Sequence, residues 1–280
     1  MKLYSIETGF FKLDGGAMFG VVPKSMWQKL NPPDDKNLCT WAMRCLLIED
    51  GKRLILVDNG IGNKQDEKFM GHYFLHNTRT IDDALDAIGF HRNDITDVFL
   101  THLHFDHCGG SIERKEDRLV PVFSNAVYWS NERHWQWAVI PNEREKASFL
   151  KENILPIQES GQLQFIEVKD EVEFTEHIRV RFFYGHTDAM MLPQINYGNQ
   201  NIVFMADLLP SVAHLPLPYV MAYDMFPLQT LIEKKKFLDE ALQKKYILFF
   251  EHDPVHECCT LKSTEKGIRS EEIFRLDTLI

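Results

Sequence analysis

The sequence has 280 residues, of which 44% are hydrophobic and 26% are charged, as in an ordinary globular protein. Its net charge of −10 argues against a nucleic-acid partner, because binding to phosphates requires a basic surface. No apolar stretch approaches the length of a membrane span, so we expect no membrane partner either.

Cysteine usage and the start of the chain bear on location and domain number. The number of cysteines is odd and their spacing is irregular, which favours a reduced, cytoplasmic protein. The first residues contain no apolar run of signal-peptide length, which favours the same location. No low-complexity linker or short repeat divides the chain, so we predict one domain over residues 1–280. The cysteines are Cys39, Cys45, Cys108, Cys258 and Cys259.

Alternating strands and helices are predicted along the chain. Residues 45–58 form two apolar runs around Asp50-Gly51, a dipeptide typical of a hairpin turn. Residues 80–89 predict a short helix that Thr80 caps. Several of the apolar strands end directly on a His or an Asp, as a metal site built from strand ends would require. Further strands are predicted at 95–102, 162–168, 177–185, 201–207 and 246–253, with helices within 142–159 and at 228–245.

The segment His102-Leu103-His104-Phe105-Asp106-His107 is the most informative part of the sequence. It places four side chains that can bind metal within six residues, and imidazole with carboxylate is a donor set typical of zinc or iron. His102 and His104 are two residues apart, so in extended chain they point the same way. A single ion cannot use all four side chains, whereas two neighbouring ions can.

These residues, with four later segments, resemble the metallo-β-lactamase superfamily. Its signature is HxHxDH followed by a later His, an Asp and a last His, each near the end of a strand. The resemblance covers roughly residues 3 to 253 in the expected order. The matching segments are His102–His107, Gly185-His186-Thr187, Ala206-Asp207 and Glu251-His252, with Leu56-Val57-Asp58-Asn59-Gly60 upstream.

The resemblance implies an α/β fold of the four-layer αβ/βα sandwich type, with two mixed sheets flanked by helices. It also implies two divalent metal ions, with zinc favoured and manganese, iron or cobalt as alternatives. Asp58 would accept a hydrogen bond from a ligand imidazole and fix its tautomer. The implied ligands are His102, His104 and His186 for the first ion, Asp106, His107 and His252 for the second, and Asp207 as a bridge. His256 is a competitor for His252, which we favour because it follows an apolar strand directly.

The chemistry that the resemblance implies is hydrolysis by a hydroxide bridging the two ions. Asp106 would also relay a proton. The favoured substrate is a small, fairly apolar lactone or ester. The alternatives are an organophosphate or aryl-ester hydrolase and, from another class, a sulfur dioxygenase with one iron.

Two segments bear on the substrate. Residues 15–34 resemble the loop that covers the substrate in lactonase-like and organophosphate-hydrolase-like members, so Met18, Phe19 and Trp27 are either pocket residues or ordinary core. Lactonases of the family carry a Tyr three residues after the bridging Asp, where this chain has Pro210. His214 and Tyr223 are the candidates to replace it, His214 as a catalytic group and Tyr223 in the pocket. A small-molecule partner is expected, and a homodimer is left open.

Overall fold

The structure is a computed structural model that describes residues 1–279. In chain order its elements begin with β1 (Lys2–Asp14), α1 (Gly15–Phe19), α2 (Lys24–Trp27), β2 (Leu38–Asp50), β3 (Arg53–Val57), α3 (Glu67–Gly71), α4 (Ile81–Asp86), β4 (Asp97–Phe99), α5 (Phe105–Cys108), β5 (Ile112–Lys115), β6 (Arg118–Pro121) and β7 (Val127–Ser130). They continue with α6 (Glu132–Val139), α7 (Lys151–Glu159), β8 (Leu163–Phe165), β9 (Val172–Glu173), β10 (Ile178–Phe183), β11 (Met190–Tyr197), β12 (Gln200–Phe204), α8 (Pro227–Lys244), β13 (Ile247–Phe249), β14 (Cys258–Thr264) and β15 (Gly267–Phe274).

The contacts divide the chain into two compact units. The first unit comprises Met1–Gly9 and Met43–Val172, and the second comprises Phe10–Ala42 and Glu173–Leu279. Strands β1, β2 and β9 contribute residues to both units. That residues 1–280 form one domain stays a prediction.

A six-stranded mixed sheet has the strand order β1-β2-β3-β4-β7-β8. The β2–β3 hairpin turns at Gly51-Lys52, where Gly51 has φ +64°, a conformation that glycine adopts at little cost. Strand β4 runs parallel to both β3 and β7. Because the carboxyl ends of parallel neighbours meet at one edge of a sheet, the segments after β3 and β4 lie side by side.

A seven-stranded mixed sheet in the second unit has the order β15-β14-β13-β12-β11-β10-β9. Strands β12 and β13 are parallel, with Phe204 paired to Phe249 at their carboxyl ends. The segments that follow these two strands therefore share an edge as well. Both strands are buried along their last residues, which explains their continuous apolar runs.

The structure confirms the α/β class with two mixed sheets. Thr80 caps α4 through a hydrogen bond from the Asp83 amide, as predicted. Within 142–159 only Lys151–Glu159 is helical, because residues 142–149 form turns held by Asn142. The sequence analysis missed many of the other elements, among them the long strands β1, β11, β14 and β15 and the helix α6, because their polar and apolar residues alternate too irregularly to mark them.

Over residues 1–279, helices that combine the length and the apolar character needed to span a bilayer are absent.

Candidate metal centre

Asp58 organises the edge of the first sheet. It follows β3 with φ 54°, an uncommon backbone conformation for a residue other than glycine and one that is concentrated at functional sites. Its carboxylate accepts hydrogen bonds from the Thr101 amide (2.8 Å) and the Thr101 hydroxyl (2.6 Å). Asp58 Oδ2 also lies 3.0 Å from His107 Nδ1. The aspartate therefore ties the segment after β3 to the motif after β4.

His102 and His104 present two ring nitrogens to each other. His102 Nε2 and His104 Nδ1 are 3.0 Å apart, and both side chains are buried. The remaining nitrogens face outward from this pair: His102 Nδ1 lies 3.1 Å from Thr101 Oγ1, and His104 Nε2 lies 2.9 Å from Glu145 Oε1. The second nitrogen of each ring already has a partner in the protein. The two nitrogens that face each other are therefore suited to bind one cation together.

His107 and Asp106 lie on the short helix α5, in the same unit. His107 is fully buried, and its Nε2 atom is 3.9 Å from Asp106 Oδ2. Its Nδ1 atom is the one that Asp58 holds. Nε2 is therefore the ring nitrogen left to face a metal, together with the Asp106 carboxylate.

The second unit gathers its three candidate ligands around Asp207. The two oxygens of this carboxylate each lie 3.1 Å from an imidazole nitrogen, Oδ2 from His186 Nε2 and Oδ1 from His252 Nε2. Asp207 follows β12 after Ala206, which has φ 39°, and His252 follows the parallel strand β13. A carboxylate with one oxygen toward each of two histidines has the geometry of a bridging ligand.

The outward nitrogens of His186 and His252 are also held. His186 Nδ1 lies 2.9 Å from Asp224 Oδ1, and His252 Nδ1 lies 2.8 Å from the Ala42 carbonyl. Ligand histidines almost always have such a partner on the second nitrogen, which fixes the tautomer and the ring orientation. All five histidines in the predicted ligand set show this arrangement within their own unit, so the donor set fits divalent metal ions.

Electrostatics favour positive charge at His186. Burial lowers the pKa of this imidazole, but Asp207 and Asp224 outweigh burial and raise it to about 10. Two buried carboxylates on one ring create a strongly negative environment. A bound cation would satisfy the same environment.

Sequence reasoning missed Glu145 and Asp224. Both are buried carboxylates that hold a histidine of the predicted ligand set. Each lies 38 or more positions away in the chain from its histidine, and neither stands in a recognisable motif. No local signal in the sequence marks them. His134, which the sequence reading left without a role, accepts a hydrogen bond from the Leu103 amide and supports the motif.

His214, a candidate catalytic group, is held from both sides in the second unit. Its Nδ1 atom is 2.8 Å from Ser211 Oγ, and its Nε2 atom is 2.9 Å from the Met18 carbonyl. Burial lowers its pKa to about 3, so the ring is neutral. These contacts give His214 a role in positioning the segment that contains Met18, and its catalytic role stays a prediction.

The predicted pocket residues differ in exposure. Phe19 is fully buried and stacks on both His214 and Trp27, with ring centroids 4.6 and 5.2 Å apart. Met18 and Trp27 are buried as well, whereas Tyr223 is 36% exposed. Phe19 and Trp27 thus have the contacts of core residues, and Tyr223 is the accessible member of the set.

The comparisons with known proteins agree with this constellation. Residues 44–252 match the family model described as the metallo-beta-lactamase superfamily. Fold and site together are those of a metal-dependent hydrolase. The chain belongs to the metallo-beta-lactamase superfamily.

Relatives and solved structures place it near the lactonases of that superfamily. An N-acyl homoserine lactonase of Bacillus cereus is 24% identical over 263 residues, which cover 90% of this chain and 93% of that protein. A probable metal-dependent hydrolase from Staphylococcus aureus is 28% identical with a TM-score of 0.89, covering 100% of this chain and 98% of that one. AidC, a dizinc quorum-quenching lactonase solved with a product, is 22% identical with a TM-score of 0.80, covering 98% and 95%.

Proposed function

We propose that this protein is a lactonase that uses two divalent metal ions, preferably zinc, to open a small, fairly apolar lactone. The observation that carries the proposal is the set of five buried histidines, each with one nitrogen held by the protein and the other left for a metal. The ligands would be His102, His104 and His186 for one ion, Asp106, His107 and His252 for the other, and Asp207 for both.

Each protein group has a distinct task in this proposal. When bound, the two ions supply an activated water at neutral pH and polarise the carbonyl of the substrate. Asp207 holds the spacing of the ligand set, because its two oxygens face two different histidines. Asp106, with its carboxylate 3.9 Å from His107 Nε2, relays a proton to the oxygen released when the ring opens. Asp58, Glu145 and Asp224 keep the imidazoles oriented.

The choice of a lactone is supported by the relatives, whose names describe them as acting on N-acyl homoserine lactones. The chain departs from lactonases of the family at Pro210, where they carry a Tyr. We propose that Tyr223, the accessible candidate, takes part in substrate binding.

Metal content and turnover test the proposal together. We expect about two zinc-like ions per chain by plasma mass spectrometry. We also expect turnover of N-acyl homoserine lactones above that of an aryl ester, a phosphotriester or a cephalosporin. The Asp207→Ala variant should lose activity and bound metal, while Asp239→Ala, at an exposed carboxylate of α8, should keep both. A single iron without hydrolysis would overturn the proposal in favour of the dioxygenase.

Location and assembly belong to the same proposal. The five cysteines are buried thiols, which suits the reducing cytoplasm. The homodimer left open by the sequence can be checked by light scattering on the metal-loaded protein.

A further inference from the structure

An open cavity of about 580 Å³ lies within the second unit. Four segments contribute to its walls: residues 25–31, residues 211–219, the turn 253–256 and the start of β15 at 269–270. None of the proposed metal ligands lines it. The volume is in the range of pockets for small molecules.

The charged side chains that line the cavity are predominantly cationic. Lys29 and Arg269 both line it, and within residues 1–279 neither of them forms an ion pair. Among residues 1–279, the only carboxylate in the lining is Asp253, which is buried. Asp253 already accepts three backbone N–H bonds, of 2.9 Å from Val212, 2.9 Å from Val255 and 2.7 Å from His256. In a protein with a net charge of −10, two unpaired cations at one cavity attract an anion.

A buried amide and an apolar rim complete the lining. Asn31 is only 6% exposed, and in the described part of the chain its side-chain amide has no hydrogen-bond partner. Its amide atoms are not among the fully buried polar atoms that lack a partner, so they are open to the cavity, where solvent or a ligand can bond to them. Around the opening, Met26, Leu30 and Val255 are 53%, 52% and 74% exposed. Such exposure of large apolar side chains is typical of a surface that binds an apolar group.

We propose that this cavity binds a carboxylate that carries an apolar chain. The carboxylate pairs with Lys29 and Arg269, the chain lies against Met26, Leu30 and Val255, and an amide in the ligand bonds to Asn31. Two sources have this chemistry: a free fatty acid, and an N-acyl amino acid such as opening an acylated lactone releases. The inference rests on the cavity alone and holds whether or not the lactonase proposal does.

Calorimetry on the metal-loaded protein tests the proposal. The probes are N-octanoylglycine, which has the chain, the amide and the carboxylate, decanoate, which lacks the amide, and N-octylacetamide, which lacks the charge. We expect a binding event for N-octanoylglycine in addition to any at the metal ions. Binding of N-octylacetamide should be weaker by roughly five- to tenfold, since it lacks the charge that would pair with Lys29 and Arg269 and ion pairs open to solvent contribute little. Tighter binding of N-octanoylglycine than of decanoate would identify the N-acyl amino acid as the source, and equal binding would identify the fatty acid. Asn31→Leu should remove any preference for N-octanoylglycine, because the variant cannot bond to the ligand amide.

Charge variants assign the event to the cavity. Lys29→Gln with Arg269→Gln should weaken the additional event by the same roughly five- to tenfold, whereas Lys52→Gln with Arg114→Gln, outside the cavity, should leave it intact. Val255→Asp adds an acidic group at the rim of the cavity. It should weaken the binding of N-octanoylglycine, which is negatively charged, more strongly than the binding of N-octylacetamide, which is neutral. Turnover by the control pair Lys52→Gln with Arg114→Gln should match that of the parent protein. Unchanged stoichiometry and affinity in the cavity variants would overturn the proposal, as would an equal loss in the control pair.

Discussion

At the scale of single residues, the groups that hold the candidate ligand histidines matter to metal binding as much as the histidines do. Glu145 is 2% exposed, and its two oxygens contact His104 Nε2 at 2.9 Å and Trp137 Nε1 at 2.6 Å. A carboxylate on the far side of an imidazole raises its basicity and holds its orientation. If His104 binds a metal ion as proposed, Glu145 would act on that ion through His104, as a positioning residue.

Replacing Glu145 by glutamine should weaken metal binding by roughly ten- to hundredfold, because the size is kept and the charge is lost. Competition with a chelator, followed by colorimetric titration of released zinc, measures the change. Glu143→Gln is the matched control, since Glu143 is exposed and pairs only with Lys146 among the described residues. Equal affinities in the two variants would show that Glu145 does not support His104.

At the scale of elements, helix α8 anchors the loop that follows Asp207. Lys234 is fully buried, and its ammonium donates to the carbonyls of Pro216 (2.9 Å) and Tyr219 (2.8 Å). The same loop is tied to the segment after β1, because the Ala222 amide donates to the Ala17 carbonyl and His214 bonds to Met18. One helix thus fixes the conformation of two loops.

Lys234 makes a pH-dependent contribution to stability. Burial lowers its pKa to about 7 from the usual 10.5, with Asp224 opposing the shift. Between these two values the unfolded chain binds a proton that the folded protein does not, so the contribution to the free energy of unfolding rises with pH. Urea unfolding measures this contribution between about pH 6.5 and about pH 9.5. As the pH increases, the free energy of unfolding of the parent should rise relative to that of Lys234→Met. For Lys235→Met, at an exposed neighbour, the difference in free energy of unfolding from the parent should not change with pH. A difference independent of pH for Lys234→Met would contradict the assignment.

Close packing around Gly109 limits which residue can follow the segment His102–His107 at this position. A Cβ atom on Gly109 would lie 2.2 Å from the Ile61 carbonyl oxygen, a distance that requires the backbone to move. Gly109→Ala should therefore lower both the melting temperature and the zinc content, because His107 lies two residues away. Gly71→Ala meets nothing within 4 Å, and as a helical glycine it should be neutral or stabilising. Calorimetry with metal analysis of the two variants compares them, and equal behaviour would refute this account.

At the scale of the whole molecule, we expect bound metal ions to stabilise the folded protein, because the proposed ligands come together only when the chain is folded. Removing the metals with a chelator should lower the melting temperature, and adding zinc back should restore it in a concentration-dependent way. At a free zinc concentration about 1,000 times the Kd, the stabilisation per site is about 4 kcal/mol. The His72→Ala control, at an exposed histidine, should respond as the parent does. A melting temperature independent of zinc would count against a metal centre.

The sequence by itself determined the family, the α/β class and the identity of the candidate ligands. The spacing of His102, His104, Asp106 and His107 is local, so it is readable wherever the segment lies in the fold. The hairpin at Gly51 and the cap at Thr80 were likewise predictable, because turns and caps depend on neighbouring residues.

Only the tertiary structure decided which groups hold those ligands. Glu145 meets His104 across 41 positions of the chain and Asp224 meets His186 across 38, and contacts of that range leave no periodic signal in a sequence. The same holds for Phe19 and Trp27. Their side chains are equally suited to a pocket and to a core, and only the packing of the folded chain decided that they are buried. Local spacing determines which side chains can bind a metal, whereas long-range packing determines their orientation, charge and access to a substrate.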